Sequence, residues 1–264
     1  MGGGVARRGD RWYNRASLLC IPTDHAFRSG LDGLHQADTL PGQFAPPPAG
    51  RCIAGLECDD DGLGAWVRPV SPRRSREVSE EERAYRDGSE PRVFDLIDVP
   101  LLSRAPSGHQ TENHVLDPSR YWERVGRAPW ERALAAVAPV DAPLWASGGS
   151  TVGGLNDRVP DEAAAVEGRS LMLVRPAHLT LEATEEAGAP GTVRRRVRAA
   201  FEWAEITYRI TVTDPVAEER CLAEPGGILV LPDALVCVSL SEGYKGFAYK
   251  LAASVLTPGR AGGA

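Results

Sequence analysis

Along the last hundred residues, apolar and polar positions alternate with little interruption. From Arg169 the segments RSLMLVRPAHLTLEA, RRRVRAAFEWAEITYRITVTD, GGILVL, ALVCVSL and GFAYKLAASVL follow one another, separated only by short Gly, Pro and Asp breaks. Branched and flat side chains pack well on a pleated surface, so this stretch predicts successive strands forming a small barrel or sandwich. In the second segment Phe201 and Trp203 fall in one register, and Ile206, Tyr208, Ile210 and Val212 in the other. That switch predicts a turn or bulge at Ala204-Glu205. Asp214 before Pro215 predicts a capped helical turn over PVAEERC.

The first half is less regular. ASLLCIPT (16–23) is a strand candidate, and residues 24–50, ending in QFAPPPAG, predict a loop or insertion. CIAGLEC and GAWVRPVS flank the Asp59-Asp60-Asp61-Gly62 turn as a hairpin. A short exposed helix is expected near SEEERAYR in the charged stretch 72–90, and VFDLIDVPLL (93–102) reads as one strand. Asp117-Pro118 predicts a helix over PSRYWERVG, and Pro129 a second over PWERALAAV. Trp122, Val125, Trp130, Leu134 and Val137 would then face inward. The organisation expected is a flexible lead-in (1–15), a first β unit with appended helices (16–138) and a Gly/Pro-rich connection (139–160). A second β unit (161–257) and a flexible tail (258–264) complete it.

Composition narrows the class without identifying a function. No apolar run reaches the ~18–20 residues needed to span a bilayer, and MGGGVARRGDRWYNR lacks the apolar stretch of a signal peptide, so a cytoplasmic protein without membrane association is expected. Five cysteines without a repeated CxxC argue against a disulfide framework or zinc ribbon, and reduced, mostly buried thiols are expected. A net charge of −6 weakens the case for non-specific duplex binding, although a groove can be basic on an acidic protein. Every basic residue except Lys245 and Lys250 is arginine. A GC-rich genome accounts for that bias, while arginine's planar fork also suits phosphates and bases.

Several constellations carry possible chemistry, each with a plainer alternative. In GHQTENH (108–114), His109, Glu112 and His114 could contact a polar ligand, hold a metal, or tie a turn together. His109 and His114 are five apart, a spacing that shares neither a strand face nor a helix face, and the His-Glu-x-x-His pattern is absent. Trp66 and Arg68 alternate onto one side of a strand, where stacking and guanidinium contacts would hold single-stranded nucleic acid; the alternative is a half-buried Trp shielded by an arginine stem. Arg73-Arg74-Ser75-Arg76 could steer a polyanion, and Arg194, Arg196 and Arg198 would form one solvent-facing row or an edge-strand guard. YKGFAYK (244–250) suits a nucleic-acid-facing hairpin, or packs Phe247 and Tyr249 on a sheet. Serine-hydrolase, phosphate-loop and dinucleotide patterns are absent; SGGSTVGG (147–154) has no following Lys.

Taken in order, GRCIAG (50–55), GAWVRPVS (64–71), GHQTENH (108–114), GLNDRV (154–159), YRITVTDP (208–215) and VSLSEGYKGFAYKLAASVL (238–256) resemble the bacterial dual OB-containing domain family. The resemblance spans roughly residues 50–256 and rests on the ordered set, since no single motif is diagnostic. It implies an all-β fold with a few short helices, as two OB-like small barrels in tandem. It also implies a place in bacterial defence or conflict systems, where such modules bind nucleic acid or nucleotides. Residues 24–49 depart from the pattern, in which the first strand runs rather directly into GRCIAG. The resemblance carries no catalytic residue and no cofactor.

The expected function is a non-catalytic binding module for single-stranded nucleic acid or a nucleotide-like ligand. In the first half the contact candidates are Trp66, Arg68, His109, Glu112 and Asn113. In the second half they are Arg158, Tyr208, Tyr244 and Lys245. The alternatives are a scaffold for a partner protein, using exposed sheet edges or the 72–90 loop, and an enzyme built on His109, Glu112 and His114.

Overall fold

Strands divide into two sheets by their order along the chain. The computed structural model describes residues 15–17, 50–59, 62–187 and 193–262. The first sheet holds β1 (Arg15–Ser17), β2 (Gly55–Asp59), β3 (Gly62–Val70), β4 (Asp95–Asp98), β5 (Leu101–Arg104), β6 (Asn113–Leu116) and β7 (Glu123–Arg127). Its spatial order is β5-β6-β3-β2-β1-β4-β7, with β2 and β3 as the antiparallel hairpin and β3 parallel to β6. Helix α1 (Glu80–Arg83) and helix α2 (Trp130–Leu134) accompany this sheet. Ser79 caps α1 in a reciprocal capping box with Glu82.

The second sheet contains β8 (Arg158–Pro160), β9 (Leu171–Val174), β10 (Leu179–Ala187) and β11 (Val193–Trp203). Beyond them come β12 (Ile206–Val212), β13 (Ile228–Leu231), β14 (Leu235–Leu240) and β15 (Phe247–Leu256). The order is β13-β10-β11-β12-β15-β14-β9, with β8 pairing the start of β15. Among the described residues no ladder closes either sheet on itself. Three short helices belong here: α3 (Asp161–Glu167), α4 (Pro215–Ala223) and α5 (Pro258–Ala261). The chain is thus mostly strand, with helices confined to connections.

Where expectation and structure differ, tertiary packing decided. PSRYWERVG is not a helix: Asp117 accepts from the backbone and hydroxyl of Ser119 in a turn, and the chain then enters β7. Trp122 is fully buried with Ile53, Val78 and Ile97, a pull stronger than the local Asp-Pro signal. VFDLIDVPLL is broken into β4 and β5, because Pro100 lacks the N–H a continuous ladder needs. The β11–β12 turn lies at Ala204-Glu205, both with positive φ as a two-residue hairpin requires. Its register sets Trp203 opposite Ile206 and Phe201 opposite Tyr208, so the two supposed registers share one core face. Of ASLLCIPT only Ala16 and Ser17 are described, both in β1; the expectations for residues 18–49 lie outside the described residues.

In β11, Arg196 and Arg198 of the expected arginine row are engaged by carboxylates. Arg198 is buried, pairing with Glu186 at 2.7 Å and Asp157 at 3.3 Å, while Arg196 pairs with Glu186 at 3.2 Å. The Gly-rich stretch 148–154 lies over this face. A Cβ on Gly153 would meet Glu186 Oε1 at 2.6 Å, and one on Gly154 would meet Asp157 Oδ2 at 1.8 Å, so only glycine lets the backbone approach. Leu144 and Trp145, just before it, are part of the second core.

Two buried charges brace the second unit. Asp214 caps α4 through Val216 and Ala217 N–H, and its other oxygen accepts from Val255 N–H at 2.9 Å and from Arg260 of α5. Lys250 donates to Ala146 O at 2.9 Å and lies 4.9 Å from the Tyr208 ring centroid. Burial pushes its ammonium down to about 8, against the opposing pull of Asp157 and Glu167.

Two predictions follow from these charges. Asp214→Ala should cost ~3–5 kcal/mol in denaturant unfolding, because it leaves the buried N–H groups of Ala217 and Val255 and the N–H of Val216 without their acceptor and the half-buried Arg260 without its carboxylate. A loss under ~1 kcal/mol would show that the brace contributes little. Between pH 8 and 10.5 the unfolded chain holds a proton on Lys250 that the folded chain has released, so stability contributed by this site rises with pH. From pH 7 to 10, wild type should gain roughly 2 kcal/mol relative to Lys250→Met. A stability difference that stays flat with pH would contradict a depressed Lys250.

Candidate functional site

The two sheets meet along a seam with an apolar part and a polar part. Ala54, Phe94 and Ala133 from the first unit pack with Leu171, Leu173, Leu235 and Cys237 of the second in one buried cluster. Beside it, β3 delivers Arg68, 5% exposed, whose Nη2 donates to Ser170 Oγ at 2.9 Å and Ser239 Oγ at 3.1 Å. Glu112 lies 3.5 Å from the same nitrogen and accepts from the Ser170 hydroxyl through Oε1. Strand alternation predicts Arg68 on an open face; the second unit covers that face and makes it interior.

The turn before β6 continues the seam. His109 Nε2 lies 2.8 Å from Ser241 O, Gln110 reaches Leu240 O at 3.5 Å, and Thr111 Oγ1 donates to Gly168 O at 2.6 Å. Asn113 is buried and donates to Gln110 at 3.2 Å. The other imidazole, His114, engages Glu112 O through Nδ1 at 2.8 Å. His109 and His114 thus serve different carbonyls. Among the described residues no group of three His, Cys, Asp or Glu side chains is placed to hold a metal.

A groove of about 800 Å³ opens against this seam. Residues 65–67 of β3, the edge strand β5 and Thr111, Glu112 and His114 line one side, and residues 169–171 line the other. Trp66 is half-buried in the wall, and Leu101 and Leu102 extend the apolar surface. Arg104 and Arg169 are exposed on the rim, while Glu112 and Ser170 belong to both the groove and the seam. Arg104 donates only a long bond, 3.5 Å, to Thr111 O, and Arg169 lies 3.7 Å from Glu167, so both heads can turn to a ligand.

The remaining candidates lie elsewhere. Tyr208 has no exposed surface; its hydroxyl accepts from Leu144 N–H at 3.3 Å and its ring stacks on Phe201 at 5.6 Å, which makes it core. Arg158 of β8 stacks on Phe247 at 4.2 Å, and Lys245 Nζ lies 5.2 Å from the Tyr244 ring centroid, with Tyr244 bridged to Phe247. These four form a cation–aromatic cluster at the end of β15. Arg73 is held by Glu82 at 2.8 Å and Arg76 by Ala105 O at 2.7 Å, so that basic run is partly committed to its own loop. Cys58, Cys221 and Cys237 are free thiols, and burial pushes the Cys237 thiol up. Sequence reasoning missed Leu102, Arg104, Arg169 and Ser170, and reached Thr111 only as part of GHQTENH (108–114). Only Leu102 carries a local signal, an apolar residue within a short polar-ended strand; the others become a site through contacts remote in sequence.

A family model described as the dual OB-containing domain matches residues 47–255. No curated protein and no solved structure matches the chain. Among the described residues no helix is long and apolar enough to cross a membrane.

Removing Arg68 leaves Glu112 buried without its cation and two serines without their donor. Arg68→Ala should therefore destabilise the protein by ~3–5 kcal/mol. Amide hydrogen exchange should rise in residues 109–113 and around Ser170 and Ser239 before it rises in β10–β12. Uniform acceleration over both sheets would show instead that the seam does not open separately.

Proposed function

Because the chain belongs to the dual OB-containing domain family, we propose that the groove between its two sheets binds single-stranded nucleic acid or a nucleotide-like ligand. The observation that carries this reading is the meeting of half-buried Trp66 with Arg104 and Arg169 around about 800 Å³ of largely apolar space. That volume lies within the usual ligand-pocket range of ~300–1,000 Å³. A base stacked on an aromatic ring contributes ~1–3 kcal/mol, and exposed guanidinium groups beside it can take phosphate oxygens. In the lining Glu57 partly offsets Arg104 and Arg169, while Glu112 is already paired with Arg68, so stacking and charge both contribute and binding weakens with salt. The Arg158–Tyr244–Lys245 cluster is a second contact region for a longer strand. A place in a bacterial defence system belongs to the same proposal and rests on the family resemblance alone.

One observation favours a partner-protein reading. Ile228 and Val230 are 57% and 61% exposed on β13, an edge strand of the second sheet, where an extended segment of another protein could add as a further strand.

Fluorescence polarisation of labelled single-stranded DNA, single-stranded RNA and duplex DNA over a salt series separates the readings. Saturable single-strand binding is expected, weakened about tenfold by Arg104→Ala with Arg169→Ala, both exposed, at an unchanged thermal midpoint. Binding to none of the three at low salt would leave the edge-strand reading and overturn the groove.

A further inference from the structure

The groove floor carries a hydrogen-bonding pattern that goes beyond general stacking. Glu112 is 7% exposed and held in place by Arg68, while Ser170 donates to its Oε1. Oε2 makes no hydrogen bond among the described residues, and Glu112 is part of the groove lining. A carboxylate pinned in this way is an acceptor only and cannot turn to offer a donor. Whatever meets the floor must present N–H or O–H donors, of which a base edge offers only N–H, and a carbonyl or ring-nitrogen lone pair facing it is repelled.

This requirement separates the nucleobases. Adenine and cytosine place an amino group beside a ring-nitrogen acceptor on their pairing edge. Uracil and thymine place one N–H between two carbonyls. Guanine alone places two N–H donors side by side, N1–H and the 2-amino group, one for Oε2 and one for the lone pair that Ser170 leaves on Oε1. Resting on the reading of the groove as a nucleotide site, we propose that Glu112 makes it selective for guanine, with Trp66 in the wall taking the face of the base. Selection by a polar edge is sharp because the wrong base leaves the buried acceptor unpaired, whereas stacking alone tolerates every base.

The test uses the full chain and labelled five-nucleotide DNAs of thymine that differ only at the central base: guanine, hypoxanthine, adenine, cytosine or thymine. Guanine should bind about tenfold or more tightly than adenine, cytosine or thymine, with hypoxanthine, which keeps N1–H and lacks the 2-amino group, in between. Equal affinity for all five overturns the selectivity and leaves the nucleic-acid reading standing; binding of none overturns both. Glu112→Gln, checked for an intact thermal transition, should lose the preference for guanine over adenine while still binding. A preference that persists in the folded variant would remove Glu112 from the assignment. Should that variant fail to fold, the five-base series on the wild-type chain decides alone.

Discussion

The arrangement of the two sheets depends on one buried cation. Arg68 is taken out of water at the seam, a transfer that costs several kcal/mol unless its donors are met. Glu112 from its own unit and Ser170 and Ser239 from the other meet them. The neighbouring apolar contacts among Phe94, Leu173 and Leu235 supply attraction without direction. A planar guanidinium is directional: it is satisfied only when Ser170, just before β9, and Ser239 of β14 come to one place. The apolar cluster thus holds the units together, and Arg68 sets how they are aligned.

That alignment also creates the groove. Glu112 and Ser170 touch each other across the seam and also line the cavity, so the floor exists only while the units are docked. Leu101, Leu102 and Arg104 come from an edge strand of the first sheet, and Arg169 from the approach to β9 of the second. Neither sheet holds both rims. A ligand spanning them binds the docked form alone, and by linkage its binding must stabilise the seam.

Much of the strand order was legible because its causes are local. Alternation in β10–β12 and β14–β15, the pairing of β2 with β3 and the cap at Asp214 all depend on residues a few positions apart. The Asp117-Pro118 motif shows the limit of such signals. Asp214-Pro215 starts a helix and Asp117-Pro118 a turn, and the difference is Trp122, drawn into a core formed by Ile53, Val78 and Ile97. The site was less legible for the same reason. Alternation correctly separates Arg68 from Val67, but which face of β3 meets water depends on Ser170, more than a hundred residues away.

The arginines show why charge runs along a chain are weak guides to a binding surface. Arg198 sits in a run that looks like a polyanion track, yet Glu186 and Asp157 neutralise it beneath a glycine-rich cover. Arg209, on the adjacent strand, is spent on Glu182 and on Gly153 O. Arg104 and Arg169 belong to no run, and they are the ones left at the rim of a cavity with only long contacts to their own chain. In a chain whose basic residues are nearly all arginine, the informative property is which guanidinium groups folding leaves uncommitted, and that is decided by the partners each one finds across the sheets.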